Sequence, residues 1–282
     1  MKRIQYIMGC SLLFLFIGNQ QVMADEVEHH SPISFELQML SWEDAKEVIP
    51  NKKIFTVIDM ETGLAFNVQR RAGSQHADVQ PLTKKDTKIM KKVYNGEWSW
   101  KRRAAILIVG DQMIAGSMHG MPHGAGALEN NFPGHFCIHF PGSTTHKSRH
   151  TDRAHQFMVL KAAGEIEEYA NMATPYQMIQ LLNVAINQED VTLVKLAVST
   201  PSKYEKKLHK VIKNIDAFLP NKNQLEKFEE ANELVFVEMP IKVKIHTKTK
   251  GIKQKTIRFI VRRDSLNSRW IVDGESLYKQ LK

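Results

Sequence analysis

The sequence predicts an α+β protein: a mostly-β domain that ends in a helix, followed by a unit in which helices precede an antiparallel sheet. Three observations predict it. Short apolar runs separated by turn signals fill the first half of the chain, as expected of strands and hairpins. A helical region then opens at Thr174-Pro175, a capping residue followed by proline at the first helical position. Beyond about Asn232 the apolar period drops to two, and helices followed by a strand meander make an α+β arrangement.

The elements follow in order. Met1-Lys2-Arg3 is a short positive segment and Cys10 to Gly18 an apolar core too short for a stable bilayer anchor. Val22-Met23-Ala24 offers small residues for cleavage, so residues 1–24 read as a secretory signal, with an uncleaved tether as the alternative. Lipidation at Cys10 is disfavoured, because the apolar core follows this cysteine instead of preceding it. Residues 25–40 begin acidic and polar, a loose start.

The first domain spans residues 41–170. Ser41 caps a short helix, and Ile54–Asp59 and Leu64–Gln69 flank Met60-Glu61-Thr62-Gly63 as a hairpin. Gly73 to Val79 reads as a loop, and Thr83 caps a helix that runs to Tyr94. Ala104–Val109 and Gln112–Met118 pair across the Gly110-Asp111 turn. Asp152 to Glu168 reads as one helix packed on this sheet.

The second domain spans residues 174–282. Two or three helices run to about Asn232, and strands follow at Val235–Val237, Ile241–Thr247, Thr256–Val261 and Trp270–Asp273. This unit resembles the cone-shaped fold of the nuclear-transport-factor and ketosteroid-isomerase type. Its outward lysines make a binding or spacer role the economical reading.

The formal charge is +9, and removing Lys2 and Arg3 with the signal leaves +7. An exported basic chain is held near anionic wall polymers or lipid headgroups, or is basic for solubility alone. No nucleic-acid motif appears, so nucleic acid is not expected as a partner. Loss of the signal also removes Cys10, which leaves Cys137 as the only mature thiol and excludes an intramolecular disulfide.

That thiol lies in Gly134-His135-Phe136-Cys137-Ile138-His139-Phe140, and seven of the twelve histidines fall between His119 and His155. Three explanations compete. In the first, Cys137 is a nucleophile that needs a base to form its thiolate, and strand alternation puts His135, Cys137 and His139 on one face. In the second, His76, Asp78, His123, His135, Cys137 and His139 supply a three-ligand zinc site, although no His-Glu-x-x-His or Cys-x-x-Cys pattern is present. In the third, the cysteine is a small core residue and the histidines satisfy backbone carbonyls.

The stretch from His119-Gly120 to Cys137 resembles the L,D-transpeptidases. In that family a His-Gly precedes, by some eighteen residues, the cysteine of a Ser/Thr-His-Gly-Cys-x-Asn/Arg motif, and His119 stands eighteen residues before Cys137. The overlay keeps His119, Gly120, His135 and Cys137. It departs at Gly134, at Phe136 in place of glycine, and at His139 in place of asparagine or arginine. Divergent sequences of this type share Asn/Gln-His-Ala-Asp-Val, Met-Pro-His-Gly and His-Phe-Cys-Ile-His-Phe, here residues 75–79, 121–124 and 135–140.

The resemblance covers about residues 40–165. It implies a secreted bacterial cell-wall protein that carries out cysteine acyl transfer on peptidoglycan stem peptides, without a metal or other cofactor. Cys137 would be the nucleophile, His123 or His119 the base, and His135 and His139 their neighbours. Substrate would be bound by His76, Asp78, Gly120, Gly124 and Phe136. A non-catalytic wall-binding protein and a zinc-dependent peptidoglycan hydrolase are the alternatives. Core packing is the alternative to a sugar groove for Trp98 and Trp100, and solvation is the alternative to stem-peptide contact for Arg102 and Arg103.

Overall fold

The structure, a computed structural model, describes residues 36–145, 150–225 and 233–282. The signal segment, the start of the loose segment and His146 lie outside the described residues. The fold is mixed α+β.

Nine elements build the first sheet and its two flanking helices: β1 (Leu37–Gln38), α1 (Trp42–Val48), β2 (Ile54–Asp59), β3 (Ala65–Ala72), β4 (Ala77–Pro81), α2 (Lys84–Val93), β5 (Arg102–Val109), β6 (Gln112–His119) and β7 (Phe136–His139). The strands run β6-β5-β2-β3-β4-β7, and β7 pairs again with β6, so six antiparallel strands close into a barrel. Closure leaves little unpaired strand edge. β1 adds in parallel to the free stretch of β6.

Strand alternation decides what fills the barrel. Phe55, Val57, Phe66, Val68, Ala77, Val79, Leu107, Phe136 and Ile138 belong to one buried core, joined by Trp42 of α1 and Met90 of α2. Both helices are capped from the sequence: Ser41 accepts the Asp44 N–H, and Thr83 forms a capping box with Asp86.

The remaining elements are α3 (Arg153–Ala163), α4 (Ile166–Met172), α5 (Pro175–Gln188), α6 (Val191–Ala197), β8 (Val198–Ser199), α7 (Ser202–Lys213), β9 (Ile215–Pro220), α8 (Lys222–Leu225), β10 (Phe236–Thr247), β11 (Gly251–Arg262), β12 (Ile271–Asp273) and α9 (Gly274–Leu281). The second sheet runs β8-β12-β11-β10-β9. A second core, including Met178, Leu182, Phe218, Met239 and Phe259, reaches through α3 to Ala104 and Ala115 on the outer wall of the barrel. Among the described residues no helix is long and apolar enough to cross a membrane.

Four expectations are corrected. The helix expected over 152–168 is two: Gly164, at φ 79, ends α3 in a left-handed cap, and α4 starts afresh. The loop expected over 73–79 gives way to strand β4, because Ala77 and Val79 fill the barrel while Asp78 faces outward. The helical stretch before Asn232 contains strand β9, which pairs with β10. The chain also ends in α9, where no helix was expected, capped by Asp273.

One buried ion pair braces the barrel wall. Asp59 has no exposed surface, and its carboxylate takes Arg103 Nε at 2.6 Å and Nη2 at 2.8 Å. Removing one partner strands the other. Arg103→Met is therefore expected to cost about 3 kcal/mol or more in urea unfolding, and a loss below half that value would show Asp59 to be satisfied by Thr62 alone, whose N–H and hydroxyl donate to Oδ2 at 2.9 and 2.7 Å.

Candidate active site

The site grows from the alternation of β7. Phe136 and Ile138 point into the barrel, so Cys137 and His139 point out of it. Antiparallel register sets Asp78 of β4 opposite Cys137, and Ser117 of β6 opposite His139. His119 ends β6, and the loop beyond it turns back so that His123 and His135 form a two-hydrogen-bond bridge, with N···O distances of 2.9 and 2.8 Å.

These elements converge on the sulfur. Cys137 Sγ lies 3.3 Å from His123 Nε2 and 3.6 Å from Asp78 Oδ1. His123 Nδ1 is 3.1 Å from the Met121 carbonyl oxygen, which can only accept, so Nδ1 carries a proton and the neutral ring turns its Nε2 lone pair toward the thiol. His119 is set the other way: its Nδ1 accepts the Met121 N–H at 3.3 Å, which leaves the proton on Nε2. The geometry thus favours His123 over His119 as the group that takes a proton from Cys137.

Asp78 is held from a second side. His76 Nδ1 donates to the Thr144 carbonyl at 2.7 Å, and its Nε2 stands 3.2 Å from Asp78 Oδ1. Burial first, and then the charge of Asp78, push the Cys137 thiol well above its ordinary value. The sulfur is a protonated thiol until a base in contact removes its proton.

Three buried imidazoles stack beside the thiol. His76 and His139 lie 4.5 Å apart between centroids and His139 and His155 3.8 Å, both nearly parallel. His155, from the first turn of α3, meets Ser117 Oγ through Nδ1 at 2.8 Å. Burial, reinforced by the neighbouring His139 and by Arg102, depresses His155 well below the usual histidine value, and burial with His123 and Arg102 does the same to His119.

The remaining expected site residues occupy supporting positions. The Phe136 side chain is fully buried in the barrel, 5.8 Å from the Phe132 ring and 6.3 Å from that of Phe66, so only its backbone borders the site. Gly120 passes against the Tyr94 ring and Gly124 against the His135 ring, where a side chain would collide. Gly134 has φ 116, and a Cβ there would come 2.4 Å from the His123 carbonyl oxygen. The absence of a hydroxyl residue at 134 therefore has a steric cause.

Trp98 packs edge-on against Phe132, whereas Trp100 is half exposed, with its ring 4.8 Å from that of His119 and 5.3 Å from that of His123. Arg102 pairs with Asp152, the cap of α3, at 2.7 Å.

Sequence reasoning missed Gln80, Thr144, Ser117 and His155. Gln80 is fully buried; its amide donates to the Gly134 carbonyl at 2.8 Å and accepts the Ala127 N–H at 2.9 Å, fastening the histidine loop to β4. Its signal was the two-residue spacing from Asp78, hidden while that stretch read as a loop. No protein-family model, no curated protein and no solved structure matches the chain.

Two outcomes are expected. Gly134→Ala should lower stability by about 1 to 3 kcal/mol through backbone strain and displace the His123–His135 bridge; unchanged amide exchange at His123 and His135 would count against it. The depressed His119 and His155 take up protons only on unfolding as pH falls below about 6.5. Stability is therefore complete above that pH and declines below it, by about 1.4 kcal/mol per pH unit for each such proton. Denaturant unfolding between pH 7.5 and 5 measures the slope, which His155→Gln should reduce by one proton.

Proposed function

We propose that the chain catalyses cysteine acyl transfer on peptidoglycan stem peptides, through a domain of L,D-transpeptidase type exported to the cell envelope. The observation that carries this reading is the 3.3 Å contact between Cys137 Sγ and the lone-pair nitrogen of His123. The Phe136 side chain lies in the barrel core, which removes the steric objection to phenylalanine where the resembling enzymes have glycine.

In this mechanism the Cys137 proton moves to His123 Nε2 as Sγ forms a bond to the peptide carbonyl carbon. Attack leaves an oxyanion on the former carbonyl oxygen. Collapse breaks the carbon–nitrogen bond, and the leaving amine takes the proton from His123. Water or an acceptor amine then attacks the thioester and passes a proton to His123, and the departing sulfur recovers that proton. Hydrolysis or a cross-link results. The buried thiol next to Asp78 suits this order of events, because proton and carbon–sulfur bond change together and no standing thiolate is required.

Trp100 supplies an exposed aromatic surface beside the base, suited to a sugar or a peptide. The second unit contributes exposed Lys242, Lys244 and Lys253 on β10 and β11, which fit an anionic wall polymer.

Intact-mass measurement after exposure to a carbapenem tests the reading. One adduct per chain is expected on the natural protein and none on Cys137→Ala, and His123→Gln should slow adduct formation by about a hundredfold or more. An unmodified natural protein would remove the acyl-enzyme from consideration, and full speed in His123→Gln would remove that base.

A further inference from the structure

The thiol has a second set of neighbours that acyl transfer does not need. Asp78 and Cys137 face each other across the β4–β7 ladder, and His135 stands two residues before Cys137 on the same face. His135 Nδ1 is 3.0 Å from the Ala125 carbonyl oxygen, so this nitrogen carries the proton and Nε2 points inward, 3.7 Å from Asp78 Oδ1. Oδ1 is in turn 3.6 Å from Sγ. The three donor atoms all lie within 4.8 Å of one another.

Those separations are the edges of a coordination polyhedron. With zinc bonds of about 2.3 Å to sulfur and about 2.0 to 2.1 Å to nitrogen or oxygen, tetrahedral angles require donors roughly 3.3 to 3.6 Å apart. The upper figure applies to an edge with sulfur, and the sulfur–oxygen edge already has that length; an edge between nitrogen and oxygen needs roughly 3.3 to 3.4 Å, which the 3.7 Å separation exceeds by about 0.3 Å. One thiolate, one imidazole and one carboxylate form a set for a borderline cation, not for Mg²⁺ or Ca²⁺, which take oxygen ligands. Two of the three donors are also oriented from behind: His135 by Ala125, and Asp78 by His76 with Thr144 behind it.

Burial adds a reason for a cation. A thiolate and a carboxylate 3.6 Å apart, both nearly buried, repel each other strongly in a low-dielectric setting. A divalent ion in place of the thiol proton compensates both charges. We propose that Asp78, His135 and Cys137 form a three-ligand site for Zn²⁺ or an equivalent thiophilic divalent cation, with the fourth position open to water. Zn²⁺ binding does not rest on the acyl-transfer reading; if both hold, the ion occupies the sulfur that would attack the carbonyl and keeps the enzyme idle until the metal is withdrawn.

Co²⁺ titration of the metal-free full chain tests the site, because a cobalt–thiolate bond adds a near-ultraviolet charge-transfer band and tetrahedral coordination adds visible bands. One ion per chain is expected, displaced by Zn²⁺. The near-ultraviolet band should vanish in Cys137→Ala. Asp78→Asn and His135→Gln should each weaken binding at least about tenfold, and His246→Gln on the second sheet should change nothing. Circular dichroism checks the folding of each variant. Zn²⁺ protection of Cys137 from iodoacetamide in the natural protein supplies a readout that needs no variant. Absence of a thiolate band, absence of protection, or undiminished affinity in both Asp78→Asn and His135→Gln overturns the site. Carbapenem labelling of the metal-free protein reports separately on acyl transfer: a cobalt band without an adduct sinks that reading alone, and an adduct without a band sinks the metal site alone.

Discussion

The double pairing of β7 is the constraint on which the rest of the structure depends. A strand of four residues closes the barrel by joining β4 on one side and β6 on the other. Because side chains alternate, the same closure that drives Phe136 and Ile138 into the core forces Cys137 and His139 to the outer wall. A slip of one residue would turn the histidine into the barrel and the phenylalanine onto its outer wall. The apolar packing of the barrel therefore fixes which face carries the thiol, and the β4 register fixes what stands opposite it.

Outside the barrel, α3 acts as a cover tied down at its start. Asp152 caps the helix by accepting the N–H groups of Ala154 and His155, and its other oxygen takes Arg102 from β5. That arrangement holds His155 over His139 and against Ser117. Burial holds His155 uncharged at the outer end of this stack, so that part of the wall adds no positive charge beside the sulfur. A thiol in that setting is activated by a contacting base and not by a general positive field.

Much of this was legible in the sequence, and the reasons differ by element. Capping residues announced α1, α2 and α5, and Met60 to Gly63 announced the first hairpin, because such signals act over a few residues. The thiol and its flanking histidines were legible from period two alone. β4 was not, because Gly73 and the polar residues after it read as loop and hid the hairpin with β3, while its second partner, β7, lies about sixty residues away. For the same reason Gln80 and Thr144 stayed invisible. Of the two candidate bases, spacing from Cys137 pointed to His119 and the shared Met-Pro-His-Gly segment to His123. The hydrogen bonds of Met121 favour the second, a distinction that no spacing contains.

The His123–His135 bridge carries one last implication. Two backbone hydrogen bonds hold these residues together, and the chain between them is fastened by Gln80 to the strand that bears Asp78. The imidazole beside the sulfur and the imidazole beside the carboxylate are thus mounted on a single clasp. A ligand that draws one ring toward itself tugs the backbone of the other. A displacement of the backbone at either histidine is therefore felt on both sides of Cys137.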